Sequence, residues 1–187
     1  MEREIREQPA VLAAGALAYY DQLRDAFANR RFEMVVLAAR GSSDNAALYA
    51  RYLIEIQLKI PVSLAAPSVI TQYGADVQYP PCLAIGISQS GAAPDVAEVL
   101  EHLRDQGHAT LAITNTRGSR LTQVAEHSLL LGAGEERSVA ATKTYTASLL
   151  ALYELVRALG GDLQSPEGGL PGGAWTTSTF AAAERAV

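Results

Sequence analysis

Cys82-Leu83-Ala84-Ile85-Gly86-Ile87-Ser88-Gln89-Ser90-Gly91-Ala92-Ala93-Pro94-Asp95 joins an apolar run to a polar turn and the start of a helix. Its first six residues form an apolar run too short for a helix, and they read as a strand buried on both faces. Ser88 to Gly91 break that run. Pro94 suits the first turn of a following helix, where the N–H that proline lacks would be unpaired anyway. A buried strand that feeds a helix through a short polar turn is the repeating unit of a parallel sheet.

The same alternation extends in both directions. Upstream, Met34–Ala39 is a second short apolar run, followed by Arg40, Gly41, Ser42, Ser43, Asp44 and Asn45. Helical spacing over 45–58 (Ala46, Leu48, Ala50, Leu53, Ile54, Leu58) stops at Pro61 and gives way to a brief strand over 62–65 and a short helix from Ser68. Downstream, the spacing predicts a helix over 93–106, a strand over 109–114, a helical turn over 121–124, a strand over 128–131 and a closing helix over 138–159, with Gly160 and Gly161 as its stop. Residues 2–29 read as helical, with Pro9 separating a short lead-in from the main helix. The expected architecture is therefore a three-layer, doubly wound, flavodoxin-like α/β fold with five parallel strands in right-handed βαβ units. In such sheets ligands sit beyond the carboxyl ends of the strands, where strand order reverses. That singles out the loops after the first and third strands.

With 187 residues, 49% apolar and 19% charged, the chain has the balance of one globular domain with an appended piece. The domain is expected over 1–160. Residues 161–187 read as a Gly/Pro linker and the start of a further segment, whose Trp175 and helix-like 176–187 need an apolar partner; a homodimer and a chain that continues past Val187 are expected. Net charge is −5 with no Lys/Arg run, which argues against nucleic acid as a partner. No 18-residue apolar stretch and no signal-like start is seen, so neither a membrane partner nor export is expected and a cytoplasmic location follows. The single cysteine, Cys82, reads as a buried thiol. His102, His108 and His127 lack metal-ligand spacing, so no metal site and no organic cofactor are expected.

Both loops carry hydroxyls where helices begin. Ser88, Ser90, the flexible Gly91 and the free N–H groups of the turn before Pro94 can converge on an anion at a helix N-terminus. A helix cap accounts for one of these serines. Two serines around Gln89, after a buried strand, favour ligand contact. Ser42, Ser43 and Asp44 fit a helix cap and a ligand contact equally well, and adjacent strands would bring the two loops to one crevice. The 88–95 loop holds no lysine or arginine. Three charge-assisted hydrogen bonds at about 1.5 to 3 kcal/mol each cover the roughly 4 to 8 kcal/mol of millimolar to micromolar binding, so a cationic clamp is not required for a phosphate.

Gly41-Ser42-Ser43, Ser88-Gln89-Ser90-Gly91 and Val139-Ala140-Ala141-Thr142-Lys143, in this order and spacing, resemble the signature segments of the sugar isomerase (SIS) domain family, in the branch with the isomerase half of glucosamine-6-phosphate synthase. Glu4-Ile5-Arg6-Glu7-Gln8-Pro9 is similar to the segment that precedes the first SIS domain there, so the resemblance covers about 1–160. It implies that Ser43, Ser88, Gln89 and Ser90 hold a sugar phosphate, with Gly41, Ser42, Gly91 and Ala93 in the same loops, and that Val139 and Ala140 border the sugar. The chain departs from the synthases at Ala92, Ala93 and Ala141, where they carry glutamate, threonine and serine. With Pro94 in place, it looks closer to related deaminases and isomerases of amino-sugar phosphates.

The resemblance implies an isomerase or deaminase acting on a hexose 6-phosphate through a ring-opened enediol or enolamine, with a non-catalytic phosphosugar-binding module as the alternative. Candidates for chemistry are fewer. Glu135 or Glu136 serves as a base if desolvation raises its pKa, or both acids simply favour a helix N-terminus. Lys143 reads either as a neutraliser of enolate charge or as a solvated lysine. The family's two-domain enzymes carry the principal base in a second SIS repeat, and no internal repeat of these loops is present. A nucleotide-binding flavodoxin-like domain is disfavoured by the lack of a GxGxxG run after the first strand.

Overall fold

The computed structural model describes residues 1–165. Its elements run α1 Glu2–Phe27, β1 Met34–Ala39, α2 Ser42–Gln57, β2 Val62–Leu64, α3 Pro67–Thr71, β3 Cys82–Ile87, α4 Pro94–Asp105, β4 Ala109–Thr114, α5 Arg120–Val124, β5 His127–Leu130 and α6 Lys143–Ala158. The five strands are all parallel, in the order β2-β1-β3-β4-β5. Strand order reverses between β1 and β3, whose registers pair Met34 with Cys82 through Ala39 with Ile87. The two polar loops therefore leave neighbouring strands at the same edge.

Burial on both faces explains the unbroken apolar runs. Along β1, Val35, Leu37 and Ala39 point into a core shared with α1, α2 and α6, while Val36 and Ala38 point into a second core with α4 and α5. Gly86 sits mid-strand because a side chain there would meet the Leu100 and Leu121 methyls at 2.9 and 3.0 Å. The two buried hydroxyls of β4 are satisfied: Thr110 accepts the Glu126 N–H at 2.7 Å, and Thr114 donates to the Gln89 carbonyl at 3.1 Å.

Most boundaries fall within one or two residues of those expected, and three departures are larger. Helix α1 runs through Pro9 instead of breaking there. Proline forfeits one helical hydrogen bond, but the turns before it are pinned by contacts of Glu4 and Glu7 to residues 137, 138 and 143. Helix α2 starts at Ser42, not 45, because Gly41 adopts φ 62° and ψ −130° and turns the chain directly from strand to helix. Helix α6 starts at Lys143, not 138. Residues 135–142 form an irregular strap whose amides at 137 and 138 bond to Glu4, so they are not available to a helix. Of the 161–187 linker and further segment, residues 166–187, with Trp175, lie outside the described residues. Among the described residues no helix is long and apolar enough to cross a membrane.

Candidate functional site

A cleft of about 250 Å³ opens at the carboxyl end of the sheet, at the reversal between β1 and β3. The β1–α2 connection contributes Arg40, Gly41, Ser42 and Ser43, and the β3–α4 turn contributes Ser88, Gln89 and Ser90. The opposite wall is the end of the strap and the first turns of α6, through Ala141, Thr144, Tyr145 and Ser148.

The β3–α4 turn is held by the strand next to it. The Ser88 N–H reaches Ile113 O at 3.1 Å, and Gln89 O accepts both the Asn115 N–H at 3.0 Å and the Thr114 hydroxyl. Gly91 O accepts the Leu121 N–H at 3.1 Å. Gly91 is buried with φ 61°, and an added Cβ would lie 2.5 Å from that of Ser119, so only glycine lets the turn pack this tightly. The hydroxyls of Ser88 and Ser90 stay on the open side, Ser90 accepting the Ala92 N–H at 3.3 Å. Gly91 and Ala93 belong to this turn without lining the cleft. Val139 and Ala140 are exposed on the strap, and of that segment it is Ala141 that lines the cleft.

A cation is present after all. Arg40 lines the cleft with its guanidinium bonded to Asp95 at 2.8 Å, in the first turn of α4. Sequence reasoning had the residue but searched only the third-strand loop for charge. Thr144, Tyr145 and Ser148 were missed as well; their spacing along α6 puts them on one face, a signal legible only once the helix start is known.

The three candidates for chemistry do not line the cleft. Glu135 is exposed and paired with Arg137 at 2.8 Å, which holds its carboxyl below the ordinary value. Burial pushes the Glu136 carboxyl up, but the hydroxyls of Thr144 and Thr142 and the amides of both residues draw it down further, so it lies below the ordinary range. It caps the start of α6, accepting Thr142 N–H at 2.9 Å, Thr142 hydroxyl at 2.8 Å and the Thr144 hydroxyl. Lys143 is 3% exposed, its ammonium 2.6 Å from Glu7. A carboxylate held below its usual range is a weaker proton acceptor than a base tuned toward neutrality. Several turn amides are taken within the fold (Ser88 N–H by Ile113 O, Gly91 N–H by Ser88 O, Ala92 N–H by Ser90 Oγ), so the arrangement offers an anion the hydroxyls of Ser42, Ser43, Ser88 and Ser90, the Gln89 side chain and the Arg40 guanidinium.

Glutamine–fructose-6-phosphate aminotransferase (isomerizing) of Listeria monocytogenes is 34% identical over 174 residues, which cover 89% of this chain and 29% of the relative. The enzyme of the same description from Mycolicibacterium smegmatis is 35% identical over 161 residues, covering 82% of this chain and 26% of that one. The chain thus spans under a third of the length of these relatives. The C-terminal domain of glucosamine-fructose-6-phosphate aminotransferase from Francisella tularensis superposes with a TM-score of 0.73 at 30% identity, over 85% of this chain and 47% of that one. A protein from Silicibacter pomeroyi assigned as a phosphosugar isomerase superposes with a TM-score of 0.79 at 33% identity, over 98% and 56%. With the SIS domain family model matching residues 30–158, and a five-stranded sheet whose reversal point carries the cleft, the chain belongs to the SIS domain family.

Proposed function

We propose that the cleft binds a hexose 6-phosphate or amino-sugar phosphate. Ser43, Ser88, Gln89 and Ser90 hold the phosphate with Arg40 beside it, and Ala141, Thr144 and Tyr145 face the sugar. The observation that carries this reading is the convergence of two hydroxyl-rich loops and one guanidinium on a single cleft at the strand-order reversal. A phosphate monoester carries close to two charges at neutral pH, and hydrogen bonds to it from hydroxyls and amides are worth about 1.5 to 3 kcal/mol each. Relatives that share at least 30% identity include proteins described as fructose-6-phosphate aminotransferases and one described as a phosphosugar isomerase, which supports a ketose or amino-sugar 6-phosphate as the ligand. For the whole protein we propose aldose-ketose isomerisation or deamination through an enediol or enolamine.

The placement of Glu135, Glu136 and Lys143 favours a second reading for this chain taken alone, namely binding without efficient turnover. A homodimer belongs to the proposal too, supported by the exposed stripe Leu48, Tyr52 and Ile56 on α2. Calorimetry with fructose 6-phosphate and glucosamine 6-phosphate tests the binding. Following aldose-ketose exchange and ammonia release tests the chemistry. No saturable binding of either sugar at millimolar concentration refutes the site. Turnover in the ordinary enzyme range of about 1 to 1000 per second, lost on Glu136→Gln, refutes the binding-only reading.

A further inference from the structure

The strap over 135–142 has no regular structure of its own, yet its end and the helix turn beyond it form one wall of the cleft. What fixes it comes from the opposite end of the chain. Glu4 is buried; its Oε1 accepts the Arg137 N–H at 2.6 Å and its Oε2 accepts the Ser138 hydroxyl. Glu7, on the same face of α1 three residues later, takes the buried ammonium of Lys143 at 2.6 Å. A lysine in the first turn of a helix meets the positive end of the helix dipole, and a buried ammonium needs a counter-charge. Glu7 supplies that charge. From its β5 side the strap is tied to Asn115, which accepts the Ala133 N–H at 2.9 Å and donates to Gly134 O at 2.7 Å.

The geometry assigns Glu4 and Glu7 as positioning residues that clasp the strap and the start of α6, and so set the sugar-side wall of the cleft formed by Ala141, Thr144 and Tyr145. This rests on the reading of the cleft as a phosphosugar site. Neither Glu4 nor Glu7 touches the loops at 41–43 and 88–90; the 88–90 loop is held by β4 and the residue after it, through Ile113 O, Thr114 and Asn115. Loosening the clasp therefore frees the sugar-side wall and leaves the phosphate-side loops in place.

The test compares wild type with Glu4→Gln and Glu7→Gln, and with Ser138→Ala in case the carboxylate variants do not fold. Hydrogen exchange is expected to quicken at least tenfold at amides of residues 137–144 and to stay unchanged in β3 and β4. Affinity for glucosamine 6-phosphate is expected to fall tenfold or more, and affinity for inorganic phosphate less than threefold. Ser138→Ala is expected to act in the same direction and less. Unchanged strap exchange overturns the clasp whatever the ligand data show. A loosened strap with full glucosamine 6-phosphate affinity overturns the positioning role, and so does a parallel fall for both probes, which shows that the sugar-side wall is not selectively affected. Wild type that binds neither probe refutes the cleft reading and the ligand role of the clasp together, while the exchange arm still decides whether the two carboxylates hold the strap.

Discussion

Replacing Gly91 with alanine tests how the β3–α4 turn is built. The residue has φ 61°, and a built Cβ lies closest to Ser119 Oγ, which can rotate away, 2.5 Å from Ser119 Cβ, which cannot, and 3.0 Å from Thr114 Oγ1. Ordinary contact begins near 3.4 Å, so the backbone must separate by 3.4 − 2.5 = 0.9 Å at Ser119. A left-handed conformation costs a non-glycine residue about 1 to 2 kcal/mol, and overpacking a tight contact costs about 1 to 3 kcal/mol more. Gly91→Ala should therefore lose about 2 to 5 kcal/mol. Gly118→Ala is the reference: φ is 69° but nothing lies within 4 Å, so only the backbone strain applies. Ser119 is the N-cap of α5 without a side-chain cap bond, and its buried hydroxyl has no hydrogen-bond partner among the described residues. Glycine at such a cap costs only a few tenths of a kcal/mol, so Ser119→Gly added to Gly91→Ala should restore about 1 to 3 kcal/mol as a positive coupling. Urea denaturation of the four proteins of the cycle measures it, with glucosamine 6-phosphate affinity followed in parallel. A Gly91→Ala cost no larger than that of Gly118→Ala, or no recovery in the double variant, refutes the close-approach argument.

Four other outcomes are expected. Ser88→Ala with Ser90→Ala should weaken sugar-phosphate binding by at least about 2 kcal/mol with an unchanged urea midpoint; unchanged calorimetric affinity removes this turn from the site. Arg40→Gln should lower affinity for inorganic phosphate several-fold and flatten its dependence on salt, because an exposed guanidinium acts through a screened charge; a salt dependence equal to wild type counts against it. Ala141→Ser should tighten fructose 6-phosphate binding by about 0.5 to 1.5 kcal/mol, the worth of one hydrogen bond, with inorganic phosphate unaffected. On acidification the strap should loosen before the sheet. Hydrogen bonds from the Ser138 hydroxyl and the Arg137 N–H lower Glu4 from 4.5 to about 2. A carboxyl depressed in the folded state contributes stability that is complete above its unfolded value and lost as pH falls through the folded one. Protection of the 137–144 amides, corrected for intrinsic exchange, should thus decline between about pH 4.5 and 2, and equal decline in β3 would refute a local origin.

How much of this was legible in the sequence depends on how local each signal is. Strands β1, β3 and β4 were readable to the residue, because six-residue apolar runs between glycines and polar turns leave no room for another reading. The neighbouring helix starts were not. At Ser42 the start depends on the torsions of Gly41, and at Lys143 on who takes the amides of 137 and 138. Periodicity reports which face of an element is buried, not where its backbone hydrogen bonds go. That the β1–α2 and β3–α4 loops meet was legible for the same reason as the strands: each is one strand end, one turn and one helix start, so Ser43, Ser88, Gln89 and Ser90 reach the same cleft as soon as the sheet forms.

Lys143 and Glu136 show where local reading stops. Each stands in a segment whose residue types suit proton chemistry, and each is engaged elsewhere, by Glu7 from 136 positions earlier and by the hydroxyls of Thr142 and Thr144. A buried charge is tolerated only with a partner, and no pattern within the 135–143 segment could have named Glu7. Burial therefore changes what such a residue means: an ionisable side chain that is well satisfied inside the fold holds structure in place, whereas the exposed Arg40, tied to Asp95 by a single surface ion pair worth about 0 to 1 kcal/mol, can exchange that partner at little cost for the phosphate proposed to bind here. Ser88, Ser90 and Arg40, proposed to meet the ligand, are by contrast lightly engaged and lie where β1 and β3 part, whereas Thr144 and Ser148 across the cleft are buried and bonded within the fold.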